Sequence, residues 1–249
     1  MKKIILSSIF ALAGLSANAI VGPFGLLEPE ELKVERPLFN VYYTDLQTKT
    51  LDGDVKAYLE GGLRYYYGFS RRLDVQTQKD YGTAARWFYE AAMKGDGQAA
   101  YFLGMMYLRG QGVKAEYKAA IYWLSKANHK GIVQAKYMLA YVFYQMSLDE
   151  RFPESYREFY FKQAEVKLKE LDDLGDARGL YASAYLTLKY KDLTRFTQAE
   201  ANDYLLRAMQ GFVLKQDEKN AEDTLRMLKF NKLDGYKQAE DMFNANFTK

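Results

Sequence analysis

Cysteine is absent from the 249 residues. That excludes disulfide staples, thiolate metal sites and thiol redox chemistry. Histidine occurs once, as His129, and no triad-like spacing surrounds it. Its place among Asn128, Lys130 and Gly131 predicts a helix-end contact with the last carbonyls. Proline occurs four times, and Pro23, Pro29 and Pro37 all fall near the start. The rest of the chain is therefore open to helix. Beyond the N-terminal segment no apolar run approaches a membrane span. An excess of one charge is missing too. Lys2 and Lys3 account for two of the 35 basic side chains, and the 33 others face 32 acidic ones. That balance gives no argument for a nucleic-acid surface.

The first residues read as a targeting segment. Met1-Lys2-Lys3 is a short basic start, Ile4 to Leu15 is apolar, and Ala17-Asn18-Ala19 is a small-x-small cleavage site. The pattern predicts a secretory signal peptide over 1–19, cut after Ala19, and a periplasmic or secreted protein. No stable membrane insertion is expected after that cut. Residues 20–53 are predicted to be a non-repeat leader. Glycine and proline interrupt it, Glu30 to Glu35 fits one helical turn, and Leu38 to Thr44 alternates weakly, as an extended segment would.

What the chain has in abundance is self-similarity. Tyr81, Ala84, Trp87, Ala91, Gly95 and Ala99 return 36 residues later as Tyr117, Ala120, Trp123, Ala127, Gly131 and Ala135. A fixed period of this size predicts stacked helical units. Asp54 is a plausible N-cap for the first helix of the first unit. That helix carries Ala57, Gly61, Gly62 and Tyr65 and ends at Gly68. The second unit places Ala99, Leu103, Gly104, Tyr107 and Gly110 in the same positions. The first loop is six residues longer than the second, which puts an insertion within 69–79, with Arg71 and Arg72 in it. The third unit carries Ala135, Leu139, Ala140 and Phe143, with a second helix starting near Pro153. The fourth carries Ala177, Tyr181, Ala182, Tyr185, Ala201, Tyr204 and Ala208. Ala221, Leu225, Tyr236, Ala239 and Met242 mark a degraded unit over 212–249, as expected for a capping end. The fold class is thus all-α: an α-solenoid of about four helix-turn-helix repeats over 54–211, with a degenerate C-terminal cap.

Local chemistry explains the repeated residues. Ala120, Trp123 and Ala127 share one helix face at i, i+3 and i+7. Small residues there admit a neighbouring helix and the large one fills the space between. Gly104 costs about 1 kcal/mol of helix propensity relative to Ala, so a close helix crossing is its physical reason. Gly110 and Gly112 predict positive φ in the interhelix turn, and Gly95 and Gly131 predict left-handed caps after second helices. Asp52-Gly53-Asp54 lacks the later ligands of a calcium loop and reads as turn and cap. Asp172-Asp173 and Asp149-Glu150 read as solvated helix-end charges.

The run Ala99-x3-Leu103-Gly104-x2-Tyr107-x2-Gly110-x-Gly112-Val113 resembles the first half of a Sel1-like repeat. Ala120-x2-Trp123-x3-Ala127-x3-Gly131 resembles its second half. The resemblance implies antiparallel helix pairs similar to tetratricopeptide repeats. It also implies an adaptor role in signalling, envelope or secretion complexes. Some exported bacterial members carry a paired cysteine in each repeat and are linked to β-lactams or cell-wall fragments. This chain lacks those cysteines.

Opposite the packing face of each first helix runs an apolar stripe, about 200° around the helix from Leu103. It comprises Leu59, Leu63 and Tyr66, then Tyr101, Met105 and Leu108, then Tyr137, Tyr141 and Tyr144. A water-facing side should be polar. Two readings stand open: the stripe packs within the array or under the leader, or it lines a concave groove for a protein or peptide partner. The functional expectation is an exported, non-catalytic scaffold, without cofactor or metal. The alternative, from resemblance and signal peptide alone, is a cell-wall-fragment binder or weak hydrolase. That chemistry wants converging carboxylates, and the stripe carries none.

Overall fold

The computed structural model describes residue 38 and residues 41–68, 79–194 and 196–248. The predicted signal peptide, the predicted leader up to residue 37 and most of the inserted loop, with Arg71 and Arg72, lie outside the described residues. All regular structure among the described residues is helical. The helices are α1 Tyr43–Leu51, α2 Val55–Tyr67, α3 Tyr81–Met93, α4 Gly97–Arg109, α5 Tyr117–His129, α6 Val133–Leu148, α7 Glu154–Asp172, α8 Ala177–Lys189, α9 Gln198–Leu214, α10 Glu218–Phe230 and α11 Tyr236–Phe247. None of them is long and apolar enough to cross a membrane. The described residues up to Val142 form one compact unit and those from Phe143 a second.

In the first unit, α2 packs on α3 and α4 on α5 as antiparallel pairs, and α3 packs on α4. The period-36 residues make these contacts. A Cβ on Gly104 would lie 2.7 Å from Leu124 Cγ, and one on Gly62, its counterpart, 2.5 Å from Phe88 Cδ1. Gly61 lies directly under the Trp87 ring. We predict that Gly104→Leu lowers stability by about 1–3 kcal/mol or more, because a branched side chain has no room at this crossing. A thermal melt checks this; an unchanged midpoint would refute the packing role.

The turns repeat one solution. Gly53, Gly95, Gly131 and Gly175 adopt φ values of +82°, +95°, +83° and +67°. The aspartates after three of them, Asp54, Asp96 and Asp176, cap the next helix through their side chains. Such a residue accepts from the orphan N–H groups of the first turn, and its charge suits the positive end of the helix. The turn before α10 departs from this. Asp217 still caps, accepting from Asn220 N, but Gln216 occupies the left-handed position at φ +56°. Gln216→Gly is therefore expected to raise stability by about 1 kcal/mol, read as a higher denaturant midpoint.

The inserted loop leaves the helix pair unchanged at its base. Asp80 N donates to Tyr65 O at 2.9 Å, as Glu116 N donates to Tyr107 O at 2.9 Å. Tyr65 and Tyr107 are equivalent, as are Asp80 and Glu116, so both loops close on the same carbonyl.

In the second unit, α7 packs on α8, α8 on α9, α9 on α10, and α11 on both α9 and α10. Helix α7 runs 19 residues, the longest of the eleven. Pro153 sits at its N-cap rather than at its first helical position. The buried alanines Ala221 and Ala239 belong to α10 and α11, the expected degraded unit.

One part of the leader differs from expectation. Leu38 to Thr44 is not extended throughout: Tyr42 is, but α1 begins at Tyr43. Leu46 explains why. It is fully buried, and α1 packs on α2, with Tyr58 Oη donating to Thr50 O at 3.3 Å. The two leucines of α1, Leu46 and Leu51, are five residues apart and only Leu46 is buried, which gives little helical periodicity, so the helix is fixed by tertiary burial.

Candidate interaction surfaces

The predicted stripe is mostly inside the protein. Leu59, Leu63, Tyr66, Tyr101, Met105, Tyr137 and Tyr144 are buried, and only Leu108 and Tyr141 are half-exposed. The repeat-four equivalents show the reason. Gly179 meets the Leu171 side chain of α7, and Ser183 Oγ donates to the Asp172 carboxylate of α7. This side of a first helix receives the second helix of the preceding unit. Helix α4 likewise packs on α3 as well as α5. Two opposed neighbours leave a first helix apolar all round, and such a helix is buried. Tyr66 illustrates the result: its ring lies 5.3 Å from Tyr81, 6.1 Å from Phe88 and 5.3 Å from Phe102. Its hydroxyl lies 3.4 Å from Gln111 Oε1. Tyr144 Oη is 3.0 Å from Tyr190 Oη.

Two charged clusters were not legible as such in the sequence. Glu60 and Arg64 on α2 are both buried. Arg64 Nε donates to Glu60 Oε1 at 2.8 Å, and Nη2 donates to Val41 O at 2.6 Å and Leu38 O at 3.2 Å. The pair thus ties the segment before α1 to α2. An acid four residues before an arginine in an otherwise apolar helix is the available signal.

The second cluster corrects an expectation. Asp172 is not a solvated helix-end charge but is 2% exposed. Burial pushes its carboxyl up to about 6, against the Ser183 hydrogen bond and the nearby Lys169 and Arg207 charges. It also ends α7, where the helix dipole disfavours a negative charge. Arg207 Nη2 donates to the backbone carbonyl of Asp172 at 3.4 Å. Of the other pair only Glu150 is exposed as expected; the Asp149 side chain is 11% exposed and pairs with Arg151. His129 does as expected: its Nδ1 lies 2.7 Å from Ser125 O at the end of α5. Among the described residues no group of three His, Asp or Glu side chains comes together as metal ligands.

Four exposed aromatics lie on second helices, while Tyr42 precedes α1 and Phe230 ends α10. Tyr89 of α3, Tyr122 of α5, and Tyr156 and Phe159 of α7 are all about half exposed or more. Trp123 is buried between Tyr89 and Tyr122, at ring distances of 5.6 and 5.0 Å.

Comparison with known proteins matches these features. The sequence model of the Sel1 repeat fits residues 56–96 and 97–132, the helix pairs α2–α3 and α4–α5. Comparison with curated proteins gives no match. Among solved structures, the chain is similar to a Sel1 repeat protein from Oxalobacter formigenes, at 26% identity, covering 54% of this chain and 97% of that one with a TM-score of 0.40. It is also similar to a protective antigen present in uropathogenic Escherichia coli strains that displays an SLR fold. That match has 22% identity and a TM-score of 0.51, and covers 83% of this chain but about half, 48%, of the antigen. Proteins built from Sel1 repeats generally act as protein-interaction scaffolds and are typically non-catalytic. The chain carries two Sel1 repeats, at 56–96 and 97–132, within an all-helical array of the Sel1-like repeat fold.

Proposed function

We propose that this chain is an exported, non-catalytic scaffold that holds a protein or peptide partner. The observation that carries this reading is the tandem of Sel1 helix pairs, each closed by Gly–aromatic or Gly–leucine crossings between its own two helices, with α3 of the first packed on α4 of the second. Such an array holds its helices rigidly and offers a continuous outer surface, which suits binding more than turnover. The basic start, apolar run and small-residue site over 1–19 support export. The cell-wall-fragment alternative rests on the resemblance and the predicted signal peptide alone.

A partner seated along the first helices would meet Leu108 and Tyr141, the stripe members that retain surface. A photo-crosslinking residue at Met105 would disturb a buried position, so Tyr141 is the better site. In-cell crosslinking at Tyr141 is expected to give one discrete adduct with a second polypeptide. Adducts only within the chain itself would remove the first-helix face from the proposal. N-terminal sequencing of the protein from fractionated cells is expected to find Ile20 first. A retained Met1 in the cytoplasmic fraction would overturn export.

A further inference from the structure

The second Sel1 repeat is unlike the rest of the chain in charge. Over 97–132 it carries Arg109, Lys114, Lys118, Lys126 and Lys130 against the single acid Glu116. The whole chain is nearly balanced, so the excess is local. Helix α5 gathers much of it on one outward stripe. Lys118, Tyr122 and His129 are exposed and Lys126 is half-buried, with Lys130 exposed just beyond the helix end. Their spacing of four, then four, then three or four places them along one face. None of Arg109, Lys114, Lys118, Lys126 or Lys130 makes an ion pair among the described residues. Elsewhere Lys167, Lys169, Arg226 and Lys237 each pair with an acid three or four residues on along the chain or before it.

The stripe is also organised. Lys126 Nζ lies 4.8 Å above the Tyr122 ring and 5.0 Å above the Trp123 ring, which localises an otherwise flexible cation. Tyr89 of α3, also exposed, meets the Trp123 ring at 5.6 Å and adds an apolar flank. The adjoining surface of α3 adds Glu90 and Arg86, which balance. A cationic row with a tyrosine at its centre and an apolar flank is matched by carboxylates around an apolar side chain.

From these observations we propose that the outer face of α5, from Lys118 to Lys130, docks an acidic polypeptide segment of the partner, with an apolar side chain seated on Tyr122. This rests on the scaffold reading and adds a surface and a partner chemistry to it. The row is one helix wide and about 18 Å long, the size of three turns of a facing helix. A membrane footprint would want several protruding aliphatic side chains, and a nucleic-acid footprint a broader basic field.

The test uses the full chain and a fluorescein-labelled peptide of eight glutamates flanking one central phenylalanine. Binding is followed by anisotropy at low and physiological salt. Wild type is expected to bind and to weaken as salt rises. The double variant Lys118→Glu/Lys126→Glu should lose at least about tenfold in affinity. The variant Lys162→Glu/Lys219→Glu makes the same net charge change on α7 and α10 and should keep wild-type binding. Tyr122→Ala should weaken the phenylalanine peptide but not an all-glutamate control. Circular dichroism establishes that each variant is folded. Equal loss in both double variants, or none in either, would overturn the α5 surface. Tighter binding to vesicles with 30% phosphatidylglycerol, or to single-stranded DNA, than to the peptide would overturn the polypeptide assignment. An unaffected discrete adduct in the Tyr141 crosslinking, with no α5 effect on the peptide, would leave the scaffold standing and remove only this surface.

Discussion

Arg64→Met is expected to destabilise the first unit by about 3–5 kcal/mol, because it removes the guanidinium that pairs with the buried Glu60 carboxylate. Glu60 is 1% exposed and Arg64 4% exposed, so water cannot replace the guanidinium. Methionine keeps most of the apolar stem and so isolates the charge from the packing. The loss should appear as a lower urea midpoint. Hydrogen exchange should locate it: amides of α1 are expected to lose protection first, since Arg64 also holds the carbonyls of Leu38 and Val41. The double variant Glu60→Leu/Arg64→Met removes both charges and should recover a large part of the loss. What it does not recover measures the two carbonyl contacts. A single-variant loss below about 1 kcal/mol would contradict a buried, structurally required pair.

Asp172→Asn is expected to act in the opposite direction, and only at higher pH. In the fold the Asp172 carboxyl is raised from 3.8 to about 6, first by burial. The folded state therefore binds a proton that the unfolded state releases near pH 4. The favourable contribution is fully present below pH 4, declines as pH rises through 6, and is gone above about pH 7. The total loss between these limits is on the order of 3 kcal/mol. Asparagine has nearly the same shape, and its amide oxygen still accepts from Ser183 Oγ. The variant should match the parent at pH 4 and exceed it by up to about 3 kcal/mol at pH 8. Urea midpoints across this range give the comparison. A difference independent of pH would show that Asp172 does not titrate between these limits.

Both predictions concern residues whose roles the sequence states only faintly. Glu60 and Arg64 form an ordinary i, i+4 pair of the sort usually found on a wet surface. Asp172 sits beside Asp173 at a helix end, where two acids normally face solvent. Their burial follows from which helix comes next in space. Helix α3 covers both α2 and α4, and α9 both α8 and α10. One period shows the first contact; the second needs the stack. For the same reason the stripe from Leu59 to Tyr144 carries an apolar pattern that is equally consistent with a groove and a core. Tyr66, Tyr101 and Tyr137 are core residues here, while Leu108 and Tyr141 keep surface.

The sequence by itself determined the repeat unit, its helices and its turns. Those features are local. Gly62 and Gly104 mark crossings, glycines at positive φ mark the ends of helices, and aspartates mark the starts. Each is dictated by backbone sterics or by an unpaired N–H within a few residues. The helix α1, the fate of the apolar stripe and the burial of Asp172 were decided only by tertiary structure. Each depends on how much water a neighbouring helix removes, and burial by a neighbour distant in the chain leaves no periodic mark on the residues it covers.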